Sequence, residues 1–215
     1  MSLVSYKKKR NFKKTPEPSG KKSKTKGGLA FVVQRHKASH LHYDFRIEMN
    51  GVLKSWAVPK GPSMNPADKR LAMMVEDHPY GYRNFAGVIP EGNYGAGIAE
   101  IWDKGFVSDM DDSDKKSSEK NLLKGLHEGS LKFILHGKKL KGEFVLVKMK
   151  GKQESAWLLL KHKDKYAVEK VYDSEELTAK NSPINKWLSK NRPLNGKKKV
   201  KDEERINPGL KKKRA

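Results

Sequence analysis

The chain has 215 residues and no cysteine, which suits one domain with an appended arm and excludes disulfides, thiolate metal sites and a cysteine nucleophile. Lys and Arg number 47 against 25 Asp and Glu, a formal charge of +22 on a chain only 35% apolar, and such a balance points to a polyanionic partner. Unbroken apolar runs stop at five residues, as at 29–33, far short of the roughly 20 that a membrane span needs, and no signal-like segment follows Met1, so a soluble, cytoplasmic, nucleoid-associated monomer is expected.

Residues 1–28 carry ten basic residues against one acidic, interspersed with Pro16, Pro18, Ser19, Gly20, Gly27 and Gly28. Such a segment cannot bury enough apolar area to order itself, so it is expected to be a basic arm that folds by docking. From 29 to 173 a mostly β domain is expected, a compact closed barrel of about eight strands with short helices. Apolar, β-branched and aromatic runs recur near 29–35, 41–49, 52–58, 71–76, 97–103, 130–136, 141–149 and 156–162, and closure hides their edges. Asn50-Gly51 predicts a type I′ hairpin because both residues tolerate positive φ, and 137–141 joins the sixth and seventh strands similarly. The acidic, serine-rich stretch 108–120 reads as a surface loop before a short helix around 119–127. Residues 174–215 are expected to hold one short helix, capped by Ser182 with Pro183 in its first turn and carrying Trp187 and Leu188, then a basic tail without order beyond Asn191. The tail, 190–215, has eleven basic residues against three acidic, so most of the net charge lies on the two ends.

The segment 41–49 alternates without a break. Leu41, Tyr43, Phe45, Ile47 and Met49 face one way, as core; His42, Asp44, Arg46 and Glu48 face the other. An even set of this kind ordinarily faces solvent and is rich in Lys, Thr and Glu. Here His-x-Asp-x-Arg spaces an imidazole, a carboxylate and a guanidinium about 7 Å apart along one face. An imidazole and a carboxylate so placed can share a divalent ion, with His36, of the same parity just upstream, as the nearest third ligand. Arg46 then stands where a metal-bound phosphate would receive a bidentate pair, an arrangement for phosphoryl transfer. His-x-Asp also opens the facial triad of non-haem iron oxygenases, but the distal histidine with an arginine beyond it is missing: ten places after His127, His136 and His162 stand Gly137, Leu146 and Tyr172.

Glu76-Asp77-His78-Pro79-Tyr80-Gly81-Tyr82 follows the fourth strand and puts a histidine at a strand end against a turn-forming proline. Beside a metal-phosphate site, His78 reads either as a general acid or as a cationic contact for an oxyanion. Between Ile89 and Gly97, the glycines 92, 95 and 97 mark a tight turn entering a strand.

The runs FVVQRHKASHLHYDFRIEMNGVLKSWAVPKGPS (31–63), EDHPYGY (76–82) and GVIPEGNYGAGIAEIWDKG (87–105) resemble, in that order, the 3′-phosphoesterase module of bacterial DNA ligase D, and the resemblance extends from about Tyr6 to about Lys161. No ligase or polymerase motifs accompany it, so the chain resembles a stand-alone form. The resemblance implies a manganese-dependent β-barrel hydrolase of DNA 3′ ends, which removes a terminal ribonucleoside in a diesterase step and the remaining 3′-phosphate in a monoesterase step. It implies metal ligation by His36, His42 and Asp44, phosphate contacts from Arg46, His78 and Tyr82, supporting basic residues Lys60 and Arg70, and a contribution of Arg10 and Glu17 from the arm. Asn11 stands where the family's motif has aspartate; it keeps the hydrogen bonds and loses the charge, which bears on the monoester step. His40 matches no functional position and is assigned to the rim. The expected partners are DNA 3′ ends, primer-templates ending in a ribonucleotide or a 3′-phosphate, and a DNA ligase and end-joining proteins supplied in trans. The reading from another class is a non-catalytic nucleic-acid-binding barrel, served by the charge and by Trp56, Tyr80, Tyr82 and Tyr94. That reading gives no use to Asp44 in the middle of a phosphate-binding face.

Overall fold

The computed structural model describes residues 3–20, 27–151 and 153–190. Its antiparallel strands are β1 (Leu29–Lys37), β2 (Leu41–Met49), β3 (Val52–Val58), β4 (Arg70–Pro79), β5 (Gly87–Ile89), β6 (Gly97–Ser108), β7 (Ser130–His136), β8 (Lys141–Lys148) and β9 (Ala156–Lys161). Eight of them close a barrel in the order β1-β2-β3-β4-β9-β8-β7-β6, with β6 returning to β1. The first residues of β6 also pair with β5, and its last with β7. The eight-stranded closure expected from the apolar runs is present. Asn50 (φ 54°) and Gly51 (φ 72°) form the β2–β3 turn in the left-handed region that the hairpin requires.

The odd set of β1 and β2 fills the barrel. Phe31, Phe45, Trp56, Phe133 and Phe144 meet inside, with Phe45 and Phe133 stacked at a centroid distance of 5.8 Å. The even faces of the same strands are also covered, from outside, by a second apolar group that includes Tyr6, Leu53, Tyr82 and Phe85. Tyr6 sits on the arm helix α1 (Leu3–Lys8), is fully buried and donates its hydroxyl to Pro18 O at 2.7 Å. Burial of one such side chain stabilises docking by about 2 kcal/mol, which a basic arm lacks by itself.

Several boundaries differ from expectation for local reasons. α2 (Lys115–Glu128) begins inside the stretch read as loop, because Asp114 caps it by accepting from the amides of Lys116 at 2.8 Å and Ser117 at 3.3 Å. β4 continues through Pro79, so His78 lies within a strand, opposite Leu53, and the turn comes afterwards as a 3₁₀ segment, Tyr80–Asn84. β5, three residues long, carries too little pattern to be seen in sequence. α3 (Pro183–Lys190) is capped as expected, Ser182 Oγ accepting from the Asn185 amide at 3.3 Å. The basic tail expected beyond Asn191 lies outside the described residues. No helix among the described residues is long and apolar enough to cross a membrane.

Candidate active site and metal centre

The even face of β2 forms the floor of a cleft of about 200 Å³ on the outer wall of the barrel. Strand register builds it. His36 on β1 lies directly opposite His42 on β2, with ring centroids 4.8 Å apart, and Gln34 lies opposite Asp44. On the other side of β2, Asp44 faces Ala57 and Arg46 faces Ser55, small residues that leave room above the sheet. A register shift in the β3–β4 pairing between Leu53 and Ser55 re-aims the next strand, so that Val75, Glu76 and His78 all line the cleft.

His36, His42 and Asp44 come together, their donor atoms all within 4.8 Å of one another. His42 Nδ1 lies 3.1 Å from His40 O, which puts its hydrogen there and leaves the Nε2 lone pair toward Asp44 Oδ1, 3.7 Å away. His40 is thus at the rim, acting through its backbone. His36 Nδ1 is 3.6 Å from Asp44 Oδ2, and its Nε2 is buried without a partner. Burial raises the Asp44 carboxyl, but the Arg46 guanidinium and the two imidazoles outweigh it and hold the group well below the usual carboxylate range. Two imidazoles, an ionised carboxylate and an orphaned buried nitrogen fit a divalent transition metal.

Arg46 is 2% exposed and spends two of its nitrogens on orientation. Nε donates to Gln34 Oε1 at 2.7 Å and Nη2 to Asp44 Oδ2 at 3.1 Å, while Nη1 is buried with no acceptor. The guanidinium also lies over the Tyr82 ring, 4.8 Å from its centroid. His78 Nδ1 donates to Glu76 O at 2.9 Å, so Nε2 carries the lone pair and accepts from Arg10 Nη2 at 3.3 Å. Burial, then the charges of Arg46 and Arg10, lower its pKa well below the imidazole range. In this state His78 is neutral rather than cationic.

The arm supplies Arg10, whose Nε donates to Glu17 Oε1 at 2.8 Å and whose Nη1 donates to Glu76 Oε1 at 3.1 Å. Glu17 is buried behind the cleft and accepts the Tyr82 hydroxyl at 2.9 Å; burial pushes that phenol far above its ordinary pKa, so it stays protonated. Lys60 and Arg70 are not brought to the cleft. Arg70 is held by Asp68 at 2.7 Å and by the carbonyls of Lys60 and Tyr172. Asn11 is exposed and turns its Oδ1 to its own segment, accepting from the Lys13 amide at 3.1 Å. Gln34 and Glu76 were missed as site residues. Gln34 has the parity of His36 two places upstream, a signal that was available; Glu76 needed the arm in place. In a wider groove of about 660 Å³, the two carboxylates are engaged, Asp164 with Lys161 at 2.6 Å and Glu143 lying 3.4 Å from His162.

The family described as DNA Ligase D 3′-phosphoesterase domain matches residues 34–148, the stretch that holds every cleft residue of the barrel wall. The chain belongs to this family. Similar relatives include the multifunctional non-homologous end joining protein LigD of Pseudomonas aeruginosa, 50% identical over 166 residues, which is 75% of this chain and 19% of the relative. The protein of that name in Mycobacterium bovis is 39% identical over 176 residues, 81% of this chain and 21% of the relative. The one in Mycolicibacterium smegmatis is 38% identical over 196 residues, 91% of this chain and 25% of the relative. The chain thus spans a quarter or less of these ligase D relatives.

Proposed function

We propose that the chain is a metal-dependent hydrolase of DNA 3′ ends, removing a terminal ribonucleoside and then the 3′-phosphate to leave a 3′-hydroxyl for end joining. The observation that carries this reading is the pairing of a His36–His42–Asp44 donor set with a buried, unused Arg46 Nη1 on the same face. A bound divalent ion such as manganese would supply Lewis-acid charge withdrawal from a phosphate. His36, His42 and Asp44 would hold it. Arg46 offers Nη1 to a phosphate oxygen without rearranging, because Gln34 and Asp44 already fix its other nitrogens. Arg10 and His78 line the same cleft, and a phosphate entering between them adds negative charge that favours protonation of His78. His78 then serves as proton donor to the leaving oxygen only in the complex. The relatives' names place them in non-homologous end joining, which is consistent with a DNA end as substrate.

The test is a duplex primer-template carrying one 3′ ribonucleotide, incubated with manganese or with chelator, resolving 3′-phosphate from 3′-hydroxyl products. Metal-dependent conversion to 3′-hydroxyl is expected. Absence of any product with metal overturns the enzyme reading and leaves the binding barrel. A pH-rate profile that loses one limb in His78→Ala supports the proton-donor role.

A further inference from the structure

The connection from β5 to β6 brings Tyr94 to the rim of the cleft, where no role has yet been given to it. The first of the two proposed steps leaves one to be filled. When a terminal ribonucleoside is removed, the hydroxyl of water joins phosphorus, the P–O5′ bond breaks and O5′ departs with a proton, so a whole nucleoside has to be held beside the phosphate. We propose that Tyr94 holds it, its ring stacking on the base of the departing ribonucleoside and so selecting that substrate for the diesterase step. This rests on the DNA end-hydrolase reading and adds to it a determinant of substrate choice.

Two tyrosines line the cleft, and they differ in burial: Tyr82 is 3% exposed and Tyr94 49%. Tyr82 is engaged at both ends, its hydroxyl donating to Glu17 at 2.9 Å and its ring lying under Arg46. Tyr94 stands on a turn that fixes its place. The Asn93 amide donates to Pro90 O at 3.3 Å and the Ala96 amide to Asn93 O at 3.1 Å. Gly92 (φ 78°) and Gly95 (φ 77°), on either side of it, take the left-handed conformations that such a turn requires. Lys9 of the arm lies over the ring, with Nζ 4.5 Å from the centroid and 3.0 Å from Glu76 Oε2. Half of Tyr94 is exposed with that cation already in place. A ring so presented is a stacking platform for a base of any sequence.

Position selects the departing nucleoside rather than the strand that remains. Gly95, next to Tyr94, lies beside a metal-donor residue, since a Cβ built on it would be 3.8 Å from His36 Cε1. Arg10 Cζ is 5.6 Å from the Tyr94 centroid, and Arg10 Nη2 is 3.3 Å from His78 Nε2. The ring is thus near both the metal donors and His78, the group that protonates the leaving oxygen in the proposed step. The nucleoside that carries this oxygen lies on the same side of the phosphate. The uncharged side chains that share the cleft, Ala38, Ala57, Val75 and Ile89, offer no ring. A terminal 3′-phosphate has no nucleoside beyond it, so the contact belongs to the first step alone.

Steady-state kinetics with manganese, on primer-templates ending either in an intact ribonucleoside or in an abasic ribose, reads the contact. The wild type should prefer the intact terminus by at least about fivefold in kcat/KM, the low end of what stacking on one aromatic side chain provides. Tyr94→Ala should bring that ratio close to one, and Tyr94→Phe, which keeps the ring and loses the hydroxyl, should preserve it. A thermal melt checks that each variant is folded, as substitution of a half-exposed turn residue should leave it. If Tyr94 served only to clasp Lys9 and the arm, Tyr94→Ala would slow both substrates equally and keep the ratio. A ratio kept in Tyr94→Ala, or a wild type that treats the two termini alike, overturns the subsite while leaving the hydrolase standing. No product from either primer with metal overturns the hydrolase reading, and the subsite with it.

Discussion

Arg35 and His36 are neighbours on β1, point to opposite faces and are both buried, yet they belong to two different kinds of polar cluster. Every nitrogen of the Arg35 guanidinium is matched: Nε and Nη2 by Glu175 at 2.9 and 2.6 Å, Nη1 by Glu100 at 2.9 Å, and Nη2 again by Asn185. That cluster ties the segment 174–185 to the barrel and leaves nothing over. On the other face, His36 Nε2 and Arg46 Nη1 are buried and unpaired. Leaving such groups unsatisfied costs stability, about 1–3 kcal/mol each, unless a ligand completes them. Burial of charge therefore does not tell these two clusters apart; incomplete pairing does.

The comparison breaks if the two clusters respond alike to mutation. The largest effect is expected on the His36 side. Asp44→Ala should reduce hydrolysis of the 3′-ribonucleotide primer to background, and Arg46→Ala should cut kcat by about 10²–10³-fold with little change in DNA affinity. Steady-state kinetics beside a binding titration separates these outcomes. Arg35→Ala should do the reverse, costing about 3–5 kcal/mol by stranding Glu100 and Glu175, while kcat per folded molecule is retained; thermal melts with active-site titration check it.

A pH series sharpens the comparison at the arm. Burial raises the Glu76 carboxyl, but Lys9 and Arg10 outweigh it and hold the group below its usual range. A depressed carboxyl contributes stability above its unfolded pKa, near 4.5, and that contribution is lost as pH falls through the lower folded value. Tm should therefore drop as pH falls below about 4.5, and Glu76→Gln should flatten that part of the profile. The smallest effect is expected at Asn11, whose side chain lines no part of the cleft and accepts from the Lys13 amide. Asn11→Asp should alter either hydrolytic step by no more than about twofold, within the range of ordinary surface changes; resolving 3′-phosphate from 3′-hydroxyl product measures it.

Much of this site was legible in one strand. The alternation of 41–49 separates Phe45 and Ile47, inside the barrel, from His42, Asp44 and Arg46, and a two-residue period holds whatever the strand packs against. Histidine in place of lysine marked that polar face as more than a solvent surface. What lay over it came only from the family resemblance, which implied Arg10 and Glu17, and not from any pattern in the arm itself. A +9 arm with scattered proline and glycine carries no periodicity, and Arg10 and Glu17, beyond pairing with each other, find their remaining partners only where Glu76, His78 and Tyr82 are already assembled. Arg70 shows the converse, a basic residue that Asp68 and the Tyr172 carbonyl hold elsewhere, and Lys60 lines no part of the cleft.

By itself the sequence determined the barrel, its hairpins, the grouping of His36, His42 and Asp44, and the expectation of a polyanionic partner, because strand parity, turn conformation and net charge are local or additive properties. Only the tertiary structure decided that the polar face is an outer wall roofed by the chain's own arm, that His78 sits within a strand as a neutral acceptor of Arg10, and that Tyr94 lines the same cleft. Those depend on which distant groups meet and which are left unpaired, and pairing of that kind comes into being only when the barrel closes.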